Sequence, residues 1–110
     1  YKSQITELTD ISQGLVYYSM TIQNQNISQI GKQGIRQLLA SFKVIDEKYS
    51  ERLENYDLNP SQSLFCILYH IGKSDEEVMQ ILQYSLSNIR VRKSRIKSDT
   101  GAESFDDIIR

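Results

Sequence analysis

Apolar residues along this chain recur at steps of three and four, the spacing of helices that bury one face. In the first segment Ile5, Leu8, Ile11, Leu15, Tyr18 and Ile22 trace such a stripe, and Gly14 weakens it. The polar, turn-prone run "QNQNISQ" (23–29) separates it from a second stripe. From about Lys32 to Tyr56 the residues Ile35, Leu38, Leu39, Phe42, Ile45, Tyr49 and Leu53 predict one continuous helix. Two long amphipathic helices joined by a short loop imply an antiparallel hairpin. Each helix alone is marginal, so the apolar faces must be buried against each other, the later residues or a second copy.

The pattern changes at "DLNPSQS" (57–63). Asn59 suits an N-cap, and Pro60 suits the first helical position, where its missing N–H costs nothing. "SLFCILYHI" (63–71) is apolar nearly all round, as a buried helix would be, and Gly72 ends it. Ser74 and Glu77 have capping-box spacing and open a short helix that runs to about Leu82. "QYS" makes a turn, Ser85 caps again, and a helix to about Ser98 follows. "SDTG" breaks it, and "ESFDDII" forms a last short helix. The reading is all-α. Residues 1–56 form a helical hairpin that dimerises or links, and residues 57–110 form a four-helix bundle.

Composition narrows the class without naming a function. The 110 residues are 39% apolar and 25% charged, ordinary values for a globular domain. No apolar run reaches the roughly 18 residues of a membrane span, and no signal-peptide pattern is visible. Cys66 is the single cysteine, so no internal disulfide can form and a reducing, cytoplasmic setting is expected. The chain begins with Tyr1 and carries no sensor or catalytic module. It reads as the C-terminal piece of a longer protein, with a sensor domain upstream, and sits in the cytoplasm or at the cytoplasmic end of a membrane-anchored sensor.

Charge changes the picture at one place. "YSLSNIRVRKSRIKS" (84–98) holds five Arg/Lys and no acid, although the whole chain has net charge −1. Residues 74–98 thus read as a short helix, a tight turn and a longer basic helix, the order of a helix-turn-helix. Ile89 and Ile96 lie seven residues apart and can face the core beside Val78, Leu82 and Leu86. The arginines around them then project as a single cationic ridge suited to phosphates.

The stretch "LNPSQSLFCILYHIGKSDEEVMQILQYSLSNIRVRKSRIKS" resembles the LuxR/GerE-type output domain of bacterial transcription regulators. Leu58, Asn59 and Pro60 fall on its opening turn, Leu68 and Ile71 on its first-helix core. Gly72, Ser74, Glu77, Val78 and Leu82 fall on "GxSxxEIxxxL", and Ser85, Asn88, Ile89 and Ile96 on the recognition helix. "TGAESFDDII" resembles the family's tail, and the likeness covers the last 53 residues, 58–110. It is most similar to versions attached to tetratricopeptide or two-component sensor proteins of Bacteroidetes. The resemblance implies a winged-helix-like, signal-transducing transcription regulator that binds double-stranded DNA and pairs as a homodimer; docking on a partner such as RNA polymerase belongs to the competing reading below. Carried over, its docking mode sets Arg90, Val91 and Ser94 against base edges. Ser87, Asn88, Arg92, Lys93, Arg95 and Lys97 then contact phosphates. Gln62 and Leu64 replace the family's first-helix Glu-x-Glu, Lys73 an apolar residue, Met79 a small one and Arg92 the usual His.

Other constellations have blander explanations. Cys66 and His70 stand one helical turn apart, but no second ligand pair follows, so core packing is expected and no metal or cofactor. Asp75, Glu76 and Glu77 sit where acids favour a helix N-terminus. No phosphate-binding glycine loop, activated nucleophile or catalytic acid pair is present, so an enzyme is not expected. The competing function is a helical interaction or oligomerisation module without DNA binding.

Overall fold

The chain is described by a computed structural model that covers residues 2–110, with side chains from residue 8 onward. It is all-helical: α1 (Lys2–Ile22), α2 (Gly31–Ile45), α3 (Glu47–Asn55), α4 (Pro60–His70), α5 (Asp75–Leu82), α6 (Leu86–Thr100) and α7 (Phe105–Ile109), with no strand among the described residues. Among the described residues, no helix is long and apolar enough to cross a membrane.

The packing of α1 on α2 departs from the expected stripe. Leu8, Leu15 and Ile22 are exposed, whereas Gly14 and Thr21 are buried. Ile5 belongs to that stripe but lies outside the residues whose side chains are described. Gly14 is therefore the contact point rather than a flaw. A Cβ there would stand 1.9 Å from the Gln37 carbonyl oxygen, so only glycine lets the two backbones come this close. Asp10 Oδ1 accepts from Gln37 Nε2 at 3.1 Å beside this crossing.

The second stripe is two helices, not one. Asp46 leaves helical geometry (φ −140°, ψ 80°), and its carboxylate accepts from the Tyr49 amide at 3.1 Å to cap α3. An aspartate can satisfy a free helix amide with its side chain, and this competes with continuing the helix. Leu38, Phe42, Tyr49 and Leu53 still reach the core, but the break leaves Ile45 exposed.

Through α4 and the start of α5 the local signals are borne out. Asn59 and Gln62 exchange side-chain and backbone hydrogen bonds in a capping box with Pro60 at the first turn. Gln62 thus fills a role for which no carboxylate is needed. Leu64, Phe65, Cys66, Ile67 and Leu68 are all buried. At Gly72 (φ 97°) the helix closes with Lys73 N–H on the Leu68 carbonyl and Gly72 N–H on the Tyr69 carbonyl. Ser74 and Glu77 complete a second capping box.

One core runs through both halves of the chain, from Ile27, Leu38, Phe42, Tyr49 and Leu53 to Leu64–Leu68, Val78, Ile81, Ile89, Ile96 and Ile108. Polar contacts follow the same path. Lys73 Nζ donates to the Ile22 carbonyl (3.1 Å) and to Asn24 Oδ1 (2.7 Å), and Ile27 N–H donates to the Ile81 carbonyl (2.9 Å). Lys73, just before α5, therefore ties the end of α1 to the start of α5. The radius of gyration is 13.8 Å, close to the roughly 13 Å of a globular chain of this length, so the N-terminal helices fold against the rest.

Candidate nucleic-acid interface

The basic helix α6 is aimed by its entry turn. Gln83 adopts the left-handed conformation (φ 60°), which reverses the chain after α5, and Ser85 Oγ accepts from the Asn88 amide at 3.2 Å. Ile89 and Ile96 are then fully buried, in one core with Val78 and Ile81. Leu86, expected beside them, is exposed instead, because it is the first residue of the helix and precedes the packed turn. The helix also runs to Thr100, where Gly101 (φ 70°) closes it, two residues beyond the expected end.

With two isoleucines fixing rotation, 3.6 residues per turn dictates what faces away. Ser87, Val91, Ser94 and Ser98 lie along the outermost line, all exposed. Exposed Arg90 and Lys97 flank that line on one side, with Arg95 and Asn88 on the other. The cations do not form one ridge: they border a strip of short side chains. Arg90, Val91, Ser94, Arg95, Ser98 and Asp99 line an open groove of about 520 Å³. Ser98 and Asp99 were not among the expected site residues. The helical period could have included Ser98, since it follows Ser87, Val91 and Ser94 on the same line.

Two of the expected cationic contacts, Lys93 and Arg92, are engaged inside the protein. Lys93 Nζ is 2.8 Å from Asp75 Oδ1, 4.6 Å from the centre of the Tyr69 ring and 5.6 Å from that of Phe105. Tyr69 donates its hydroxyl to the same carboxylate oxygen at 2.6 Å. Lys93 first, then the tyrosine, holds the Asp75 carboxyl below its ordinary range. Burial, and then this hydrogen bond, raise the Tyr69 phenol. Arg92 donates from Nε to Asn88 Oδ1 at 2.7 Å, and its guanidinium lies 4.1 Å over the Tyr84 ring. The guanidinium is thus held by a side-chain oxygen and a ring face rather than left to sweep through solvent. By contrast, no ion pair among the described residues engages Arg90, Arg95 or Lys97.

Cys66 and His70, the pair weighed as ligands, face different surroundings. Cys66 is buried, and burial pushes its thiol up to about 12. His70 lies between the Ile109 carbonyl and the Asp46 carboxylate. Comparison with known proteins gave no match, whether to a protein-family model, a curated protein or a solved structure.

Proposed function

We propose that this chain binds double-stranded DNA through α6, as a divergent output domain of the LuxR/GerE type that follows a helical hairpin (α1 and α2). The supporting observation is the outward face of α6. Short side chains at Ser87, Val91, Ser94 and Ser98 let the helix approach a groove floor closely. Arg90 and Lys97 on one side, and Arg95 on the other, suit the phosphate strands that border such a groove. Arg90 and Arg95 also have the fork geometry that grips guanine through two hydrogen bonds. The order of α5, a left-handed turn and α6 supports the same reading.

The active unit in this reading is a homodimer. Leu8, Leu15 and Ile22 repeat every seven residues on the exposed face of α1, and residues 11–31 contain no charged side chain. A seven-residue apolar repeat is the spacing at which two helices keep one seam in contact. Sedimentation equilibrium at micromolar concentration is expected to give a dimer for the parent and a monomer for Leu15→Glu. A monomeric parent would contradict the pairing.

The DNA reading is tested by a gel shift on a pool of random duplexes at several salt concentrations. The parent is expected to bind with steep salt dependence, and the Arg90→Ala/Arg95→Ala variant to lose most of that binding. Equal binding by both proteins, or by neither, would leave the interaction-module reading in its place.

A further inference from the structure

We infer that the contact surface for nucleic acid extends beyond α6 onto the first turns of α2, where Lys32 and Arg36 form a second site for backbone phosphate. The inference rests on the DNA-binding reading above and deepens it.

Residues 11–45 contain no acid, and their cations are Lys32, Arg36 and Lys43. Lys43 is neutralised by Glu54 on α3 at 3.0 Å. Lys32 and Arg36 enter none of the ion pairs among the described residues. Four residues apart on one helix, they are neighbours on the same face. Together they line a cavity of about 310 Å³ with Ile35, Asn59, Pro60 and Ser61.

Two short routes join this cavity to the α6 face. Lys32 and Ser61 also line the adjoining cavity with Tyr84, the ring on which the Arg92 guanidinium rests. Next to Ser61, Gln62 donates from Nε2 to Asp99 Oδ2 at 3.2 Å, and Asp99 borders the α6 groove beside Arg95. Shared neighbours thus link Arg95, Arg92, Lys32 and Arg36, although 56 positions separate Arg36 from Arg92 in the sequence. Asp99 interrupts this cationic run, with its carboxylate hydrogen-bonded to Gln62.

The chemistry selects phosphate rather than bases. A lysine and an arginine beside a serine hydroxyl donate hydrogen bonds to anionic oxygens, and they lie off the close-approach strip of α6 that would read base edges. DNA whose groove is entered by α6 carries its flanking backbone across the Arg95 side, toward this pair. The N-terminal helices then contribute affinity directly rather than serving only to pair or link.

The test is fluorescence anisotropy of a labelled random-sequence duplex across a salt series. It compares the parent, Lys32→Gln, Lys32→Gln/Arg36→Gln, Lys43→Gln and Arg90→Ala/Arg95→Ala, each checked for parental helicity and melting midpoint. Each phosphate contact contributes about 0.9 to the log–log salt slope. The single variant is expected to lower the slope by about one and the double by about two, on every duplex alike. Lys43→Gln is expected to leave it unchanged. A parental slope in the Lys32/Arg36 variants, with binding lost in the Arg90/Arg95 variant, would overturn the extension and leave the α6 reading standing. An equal drop with Lys43→Gln would assign the effect to net charge and overturn the extension as well. No binding by the parent would remove both.

Discussion

The imidazole of His70 lies against the phenol ring of Tyr49, with centroids 3.5 Å apart and planes 2° from parallel. Both residues hold the end of α7. Tyr49 donates its hydroxyl to the Ile108 carbonyl at 2.9 Å, and His70 donates from Nδ1 to the Ile109 carbonyl at 2.7 Å. Arg52 adds a donor to the Asp107 carbonyl at 3.2 Å. The last carbonyls of a helix have no partner within it, and a five-residue helix has few bonds of its own. Side chains from α3 and α4 supply what α7 lacks. Tyr49→Phe removes a buried hydrogen bond and is expected to cost about 1–2 kcal/mol. His70→Ala also removes the stacked ring and is expected to cost about 2–3 kcal/mol. Urea denaturation measures both, and an effect below about 0.5 kcal/mol for either would contradict this role.

Gly14→Ala is a second test, because two effects oppose each other. Alanine favours a helix over glycine by roughly 1 kcal/mol. Yet its Cβ would stand 1.9 Å from a backbone oxygen, which cannot rotate away, so α1 and α2 must separate. Overpacking of this kind costs about 1–3 kcal/mol, and backbone contact belongs at the upper end. A net loss of about 2 kcal/mol is expected by chemical denaturation. Unchanged or raised stability would mean that the helices do not cross at Gly14.

Acid should weaken the fold through two identified carboxylates. Asp46 is held below its ordinary value of 3.8, first by the Tyr49 amide and then by His70. Asp75 is lowered first by Lys93 and then by Tyr69. A carboxyl whose folded pKa is depressed adds stability that is fully present above its unfolded value and lost as pH falls through the folded one. Stability is therefore expected to hold from pH 7 to about 5 and to fall progressively below about pH 4. Asp75→Asn is expected to flatten that decline; an unchanged acid limb would contradict the assignment.

Lys93 and Cys66 give predictions about residues engaged or buried within the fold. The Lys93–Asp75 pair is partly exposed, so with its ring contacts Lys93→Ala is expected to cost only about 1 kcal/mol, read from the denaturation midpoint. Native protein at pH 8 is expected to react with a thiol reagent only as fast as it opens, because the Cys66 thiol is buried and raised to about 12. Immediate labelling would contradict the burial of α4.

Local signals were legible in the sequence, and long-range ones were not. Asn59, Pro60, Gly72, Ser74 and Ser85 mark helix ends through contacts within a few residues, and each end is found where it was expected. The inward turn of Ile89 and Ile96 followed from their spacing alone. The break at Asp46 was hidden because Tyr49 and Leu53 continue the apolar period across it. Apolar spacing could not tell which part of the α1 stripe packs within the chain: Tyr18 packs on the core, whereas Leu8, Leu15 and Ile22 are exposed and Gly14 and Thr21 are buried. Lys93 could not be separated from Arg90 and Arg95, since its partner Asp75 lies 18 residues earlier on another helix. The nearness of Lys32 to the basic helix depends on how α2 packs beside α4, which no local pattern encodes.

DNA binding as proposed depends most on the outward strip of α6. Amide chemical shifts measured by NMR while a short duplex is titrated into the protein test it directly. Perturbations are expected at Ser87, Arg90, Val91, Ser94, Arg95 and Ser98, with α1 residues from Leu8 to Ile22 unmoved. Shifts confined to α1, or none anywhere at saturating duplex, would contradict it.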